Sequence, residues 1–190
     1  MLKKEKIRKK YFRIRKKKYF EINKFFFKPL INNLKKTFKN NLIYLSSYYP
    51  SNYEVNTLKL FELIKSNKNF KTLLPSIFNK NNMNFYDWNY LDPLKVNKYG
   101  MLEPFIKNKS LVPNVILVPL LAFDQFNHRL GYGKGYYDNF LNKYMKLNKK
   151  ILTIGIAFSF QKYNKLPTSK LDVKLNYILT EKGLSRTWIY

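Results

Sequence analysis

The run NVILVPLLAF, residues 114–123, limits the possible folds more than any other stretch of the chain. Successive side chains of a strand point to opposite faces of a sheet, so a strand with one wet face alternates apolar and polar residues. This run is apolar almost throughout. It reads as a strand covered on both faces, the situation of a central strand in a largely parallel sheet. Pro119 inside it has no N–H to give to a ladder and marks a bulge or strand end.

The flanking segments agree. NLIYLSS (41–47), FKTLLP (70–75, stopped by its proline), KILTIGIAFSF (150–160) and NYILT (176–180) read as further strands. VNTLKLFELIKS (55–66) has helical spacing, with Leu58, Phe61, Leu63 and Ile64 on its buried face. A second helix runs from about Tyr136 to Leu147, with Tyr137, Phe140, Leu141 and Tyr144 on one stripe. In residues 3–27, Ile7, Tyr11 and Ile14 recur at steps of three and four, and Pro29 permits a new helical start through LINNLKKTFK. Residues 76–113, broken by Pro93, Gly100, Pro104 and Pro113, read as irregular. Strands alternating with helices predict an α/β fold with a largely parallel central sheet, in one domain spanning 1–190.

After the apolar strand comes RLGYGKGYYD (129–138), which holds three of the chain's six glycines. A turn needs one or two; Gly131, Gly133 and Gly135 suggest backbone brought against a ligand. Backbone N–H groups freed of side chains can face an anion, and the helix start that follows adds partial positive charge. Arg129 and Lys134 add full charges, so phosphate is the natural guest. The spacing matches neither the P-loop nor the dinucleotide fingerprint, and a flexible strand-to-helix turn stays open beside the phosphate reading. Asp138, in the helix's first turn, either complements the helix dipole or holds Mg²⁺, which binds through one or two carboxylates plus phosphate oxygens. His128, the only histidine, reads as a surface residue.

The formal charge of +26 would suit a nucleic-acid partner. However, lysine outnumbers arginine 32 to 5, Asn, Phe, Tyr and Ile abound, and Ala and Gly are scarce. That is the pattern of AT-rich coding, so the charge is weak evidence about partners. With no cysteine there is neither disulfide nor thiolate chemistry. No apolar run approaches the roughly 20 residues of a membrane span, and the charged first residues lead into no apolar segment. The expectation is a cytoplasmic protein without a secretory signal.

DQFNHRLGYGKGYYDNFL (124–141) resembles the signature of the 5-formyltetrahydrofolate cyclo-ligase (5,10-methenyltetrahydrofolate synthetase) family, an Asp followed by R-[LI]-G-x-G-x-G-[YF]-Y-D. Lys4, Arg8 and Arg15, YEVNT (53–57), LLP (73–75), MNFYDW (83–88), YGMLEP (99–104) and LPTSKLDVKLNYILTEKG (166–183) resemble further family segments in the same order. The resemblance implies a three-layer α/β/α fold and closure of 5-formyltetrahydrofolate to 5,10-methenyltetrahydrofolate, using ATP and Mg²⁺ and releasing ADP and phosphate. Phosphorylating the formyl oxygen turns a poor leaving group into a good one, so phosphate departs after N10 adds.

Carried over by position, the resemblance implies nucleotide contacts at Lys4, Arg8, Arg129, Gly131, Gly133, Lys134, Gly135, Tyr136 and Tyr137. Arg129 and Lys134 would carry the charge stabilisation; Leu45, Glu54 and Tyr136 would contact the folate; Asp138 and Asp172 would hold the metal. Asn56 and Leu171 replace an acid and a histidine usual in the family, the loop SSYYPSNY is long, and Tyr132 occupies a variable position. Plainer readings stand beside these: Lys4 as a solvated charge, Asp172 as a loop acid, Glu54 as a carboxylate at a helix start. The partner expected is the folate alone, with no specific nucleic acid and no membrane, acting on a monomer. A basic nucleic-acid binder is the alternative from another class, and a degenerate cyclo-ligase kept for folate binding is a third reading.

Overall fold

The computed structural model describes residues 2–39, 41–79, 82–106, 108–147 and 149–186. The chain begins with α1 (Leu2–Lys18), a 3-10 turn at Lys24–Phe27, α2 (Lys28–Phe38), β1 (Ile43–Ser46) and α3 (Leu58–Ile64). Four strands follow: β2 (Phe70–Asn79), β3 (Asn82–Asp87), β4 (Leu94–Val96) and β5 (Leu102–Pro104). Then come β6 (Val115–Pro119), the short pair β7 (Ala122–Phe123) and β8 (Arg129–Leu130), α4 (Tyr136–Lys146), β9 (Leu152–Ile156), β10 (Tyr177–Thr180) and β11 (Gly183–Arg186).

Among the described residues the main sheet has seven strands in the order β11-β10-β9-β6-β1-β2-β3. The five inner strands pair in parallel, and the two edges, β3 and β11, pair antiparallel. β6 is the central strand, and its residues divide between two cores. Val115 and Leu117 join Leu45, Ile154 and Leu179 under α2 and α3, through Leu30, Leu34, Leu60 and Ile64. Ile116 and Val118 join Leu73, Phe85 and Ile178 under α4, through Phe140 and Leu141. An apolar residue at every position of β6 thus follows from helices on both faces, and the layers are α/β/α.

Pro119 ends β6, opposite Ile156. The chain then turns out of the sheet into the β7–β8 hairpin, which aims the glycine loop. Onto that hairpin packs α1, with Ile7 and Tyr11 buried against Leu121, Ala122, Leu130 and Leu166. The Tyr11 hydroxyl donates to Lys162 O at 2.9 Å. Helix α1 therefore lies at the carboxyl-terminal end of the central strands, where open α/β sheets bind ligands.

Three expectations change. Residues 76–113 contain ordered strands: β2 runs on through Pro75 and pairs with β3, and β4 pairs with β5. Proline is tolerated there because β1 pairs with β2 only as far as Leu73, so beyond it β2 has one neighbour. In α3 the buried face uses Leu60, fully buried, and leaves Leu63 40% exposed. His128 is only 19% exposed in its side chain, and its Nδ1 lies 3.2 Å from the buried Asp124 carboxylate. Asp124 also accepts from the N–H groups of Phe126, His128 and Leu166, so the pair builds the hairpin turn before the glycine loop.

Candidate active site

The glycine loop joins β8 to α4. Gly133 and Gly135 have φ of +94° and +73°, a region that side chains make costly. Gly135 is the residue before the first turn of α4, so the chain enters the helix directly from the loop. Above the loop lies Arg8 of α1. Its Nε donates to Gly131 O at 2.9 Å, and its guanidinium packs so close to Gly133 that a Cβ there would sit 2.9 Å from Cζ. Lys134 is exposed.

Behind the loop is a charge-paired layer. Arg129 donates to Asp138 Oδ1 and to Val173 O, each at 2.6 Å, and Asp138 Oδ1 also accepts from Val173 N–H at 3.0 Å. Next along the chain from Val173, Asp172 accepts from Lys4 at 2.6 Å and from Ser169 N–H. Burial alone would raise the Asp172 carboxyl, but Lys4 and the Ser169 N–H outweigh it and hold the group below its ordinary value. The segment between β9 and β10 thus carries Asp172 and, at the next residue, the N–H that Asp138 accepts, and each of the two expected metal carboxylates already faces a cation.

Among the described residues no group of three or more His, Cys, Asp or Glu side chains could hold a metal. A magnesium ion fits this donor set, because it needs only one or two carboxylates when phosphate and water supply the rest. The backbone between Gly131 and Gly135, with Arg8, Arg129 and Lys134, fits the phosphates of a nucleotide.

On the other side of the loop is Glu54, 7% exposed, in the segment after β1. It accepts from the Tyr132 hydroxyl at 3.0 Å and from Ser51 N–H at 3.0 Å. Burial raises its carboxyl pKa, against the pull of Arg15 and of these hydrogen bonds. Tyr137 is also pushed up, by burial first and by Glu54 second. Tyr136 donates to the Tyr99 hydroxyl at 3.2 Å, which pushes its pKa up to about 12.

Leu45 is not brought to the site. It is fully buried under α2 and α3, because positions 43 and 45 of β1 face that core. Two residues to which the sequence reading gave no role in the site also contribute. Arg15, 1% exposed, bonds Leu120 O and the Tyr132 hydroxyl, and Tyr132 links it to Glu54. Arg15 follows Ile7 and Tyr11 at steps of four, a signal that it belonged to the buried face of α1. A concavity of about 490 Å³ between Phe20–Pro29 and the turn at 180–183 shares no residue with this site.

A mostly parallel α/β/α sheet with a glycine loop at the ends of its strands, two paired carboxylates behind it and a buried carboxylate beside it has the form of a site suited to an anion next to a second ligand. Known proteins narrow that class. The family model described as the 5-formyltetrahydrofolate cyclo-ligase family matches residues 4–181. The 5-formyltetrahydrofolate cyclo-ligase of Mycoplasma genitalium is 38% identical over 135 residues, which is 64% of this chain and 79% of that one. Its counterpart in Haemophilus influenzae is 31% identical over 140 residues, 71% and 74% of the two chains. The NMR structure of Aquifex aeolicus 5,10-methenyltetrahydrofolate synthetase matches with a TM-score of 0.76 and 30% identity, over 98% of this chain and 93% of that one. The chain belongs to the 5-formyltetrahydrofolate cyclo-ligase family.

Proposed function

We propose that the protein closes 5-formyltetrahydrofolate to 5,10-methenyltetrahydrofolate, using ATP and Mg²⁺ and releasing ADP and phosphate. Beyond family membership, the observation that most supports this is the hydrogen bond from Tyr132, inside the glycine loop, to Glu54. It puts an anion-binding loop and a carboxylate suited to ring N–H donors side by side, as transfer between a nucleotide and a folate requires. ATP supplies the phosphoryl group that makes the formyl oxygen a leaving group, and Mg²⁺ offsets the charge of its phosphates.

The protein's own groups position and stabilise charge. The N–H groups of residues 131–135 face the phosphates, with Arg8, Arg129 and Lys134 around them and Tyr136 and Tyr137 following. Lys4 turns from Asp172 to the nucleotide, which leaves Asp172 and Asp138 to hold the metal. Glu54 accepts from the pterin N–H groups, and Tyr136 flanks the folate. One domain over residues 1–190 suffices, acting as a cytoplasmic monomer that needs neither nucleic acid nor membrane.

The test is near-ultraviolet absorbance, where the methenyl product absorbs and 5-formyltetrahydrofolate does not. Protein, folate, Mg²⁺ and ATP are mixed at slightly acidic pH, beside a control without ATP. An ATP-dependent rise is expected. A folded protein that gives no rise would overturn the activity and leave a folate-binding relative.

A further inference from the structure

The buried guanidinium of Arg15 is a costly feature unless its donors are matched. Its Nη1 donates to Leu120 O at 3.1 Å, and its Nη2 donates to Asn52 O at 2.8 Å and to the Tyr132 hydroxyl. Its Nε has no protein partner. Arg15 thereby ties α1 to the end of the central strand, to the segment that carries Glu54 and to the glycine loop. The direction of the next bond follows. A guanidinium has donors only, so the Tyr132 oxygen must accept from Arg15 and its single proton is left for Glu54 Oε1, 3.0 Å away. Ser51 N–H holds Oε2 from the other side, so both carboxylate oxygens are anchored.

We propose that Arg15 and Tyr132 are positioning residues for Glu54, with the Tyr132 hydroxyl holding the carboxylate in the orientation in which its remaining lone pairs meet the N–H donors of the folate ring. This rests on the reading of Glu54 as the folate contact. A pterin presents its N–H donors in a fixed plane, so a carboxylate free to rotate would meet them in only some of its orientations. The loop that faces the phosphates would then also set the orientation of the folate-binding group.

The groups around Glu54 make its charge state dependent on this link. Arg15 faces it from α1, Tyr132 from the glycine loop, Tyr137 from α4, and Tyr48 and Ser51 from the segment after β1. Burial first, and Glu54 second, raise Tyr48 and Tyr137, which therefore stay neutral. Arg15 and the hydrogen bonds are left to oppose the burial of the carboxylate.

Tyr132→Phe removes the hydroxyl and keeps the ring. The expected result is a rise in folate KM of about tenfold, the scale of one hydrogen bond to a charged group, with kcat and the KM for ATP changed far less. The acid limb of folate kcat/KM should move to higher pH, because an ionised Glu54 has lost a donor. Glu54→Gln should raise folate KM at least as much, and the double variant should be no worse than Glu54→Gln alone. Thermal unfolding of each variant separates a loss of packing from these effects. If Glu54→Gln raises folate KM while Tyr132→Phe changes only the unfolding temperature, the positioning role is overturned and the folate contact stands. If Glu54→Gln leaves folate KM unchanged in a folded protein, the folate contact falls and the positioning role falls with it.

Discussion

On the phosphate side of the glycine loop, charge is held directly by charge: Lys4 against Asp172, each 24% exposed, and the buried Arg129, 5% exposed, against the partly exposed Asp138. On the folate side, the buried Arg15 reaches Glu54 through the hydroxyl of Tyr132, whose ring is half-exposed while its oxygen points inward. Water and salt screen the Lys4–Asp172 pair, and an exposed pair is worth about 0–1 kcal/mol, so its members can exchange partners when a phosphate arrives. The folate side has no such freedom. A buried charge stripped of a partner keeps its full desolvation cost. The contrast suggests one side made for exchange of partners and one side made to stay fixed.

The largest effect expected is on the fixed side. Arg15→Ala should cost about 3–5 kcal/mol of unfolding free energy, the cost of breaking a buried charged network. A loss within 1 kcal/mol, read from denaturant unfolding, would erase the difference between the two sides. Asp138→Ala should lower kcat/KM by about 10²–10³, as when preorganised charge stabilisation is removed, because it takes away both the metal carboxylate and the anchor of Arg129. A fall of less than tenfold in the absorbance assay would place the metal elsewhere.

Gly133→Ala should come next. At φ +94° and with its Cβ 2.9 Å from Arg8 Cζ, it should cost about 1–3 kcal/mol and raise the KM for ATP more than that for folate. An equal rise in both would show that the loop serves the two ligands alike. Lys4→Ala should be mildest, costing no more than about 1 kcal/mol, with a several-fold rise in the KM for ATP.

Stability against pH sharpens the same comparison, because the two carboxylates move in opposite directions. The Asp172 carboxyl is held below its ordinary 3.8, so its stabilisation is present above that value and is lost as pH falls through the lower folded one. Lys4→Ala should therefore lower stability at neutral pH, by no more than about 1 kcal/mol, and leave it almost unchanged once Asp172 is protonated, which flattens the acid side of the profile. The Glu54 carboxyl lies above its ordinary 4.5, so stability is fully present below that value and declines as pH rises through the folded one. Glu54→Gln should remove that decline and be at least as stable as the parent at neutral pH. A loss of stability there would mean that the ionised Glu54 is fully compensated by Arg15.

Much of this was legible in the chain. The unbroken apolar run of β6 announced helices on both faces, and the glycine spacing after it marked the loop into α4. Lys4, Arg8, Arg129, Asp138 and Asp172 were legible from the resemblance of their segments to one family. The strands of 76–113 were hidden because three prolines and a glycine punctuate them, and Pro75 is harmless only where β1 has already ended. Leu63 gave way to Leu60 because α3 makes only about two turns, too few for periodicity to define a face. Leu45 matched a substrate position, but strand alternation turned it into the core.

The sequence by itself determined the layers, the central strand and the glycine loop that follows it, because these depend on side-chain period and on the backbone freedom of glycine, both local properties. Only the tertiary structure decided that the buried Arg15 would bond Tyr132, that Tyr132 would bridge it to Glu54, and that Asp138 would accept from Val173, the residue after Asp172. Those contacts join residues from 35 to 117 positions apart. Their geometry depends on where α1 and the segment between β9 and β10 come to rest, and many distant apolar contacts set that packing together.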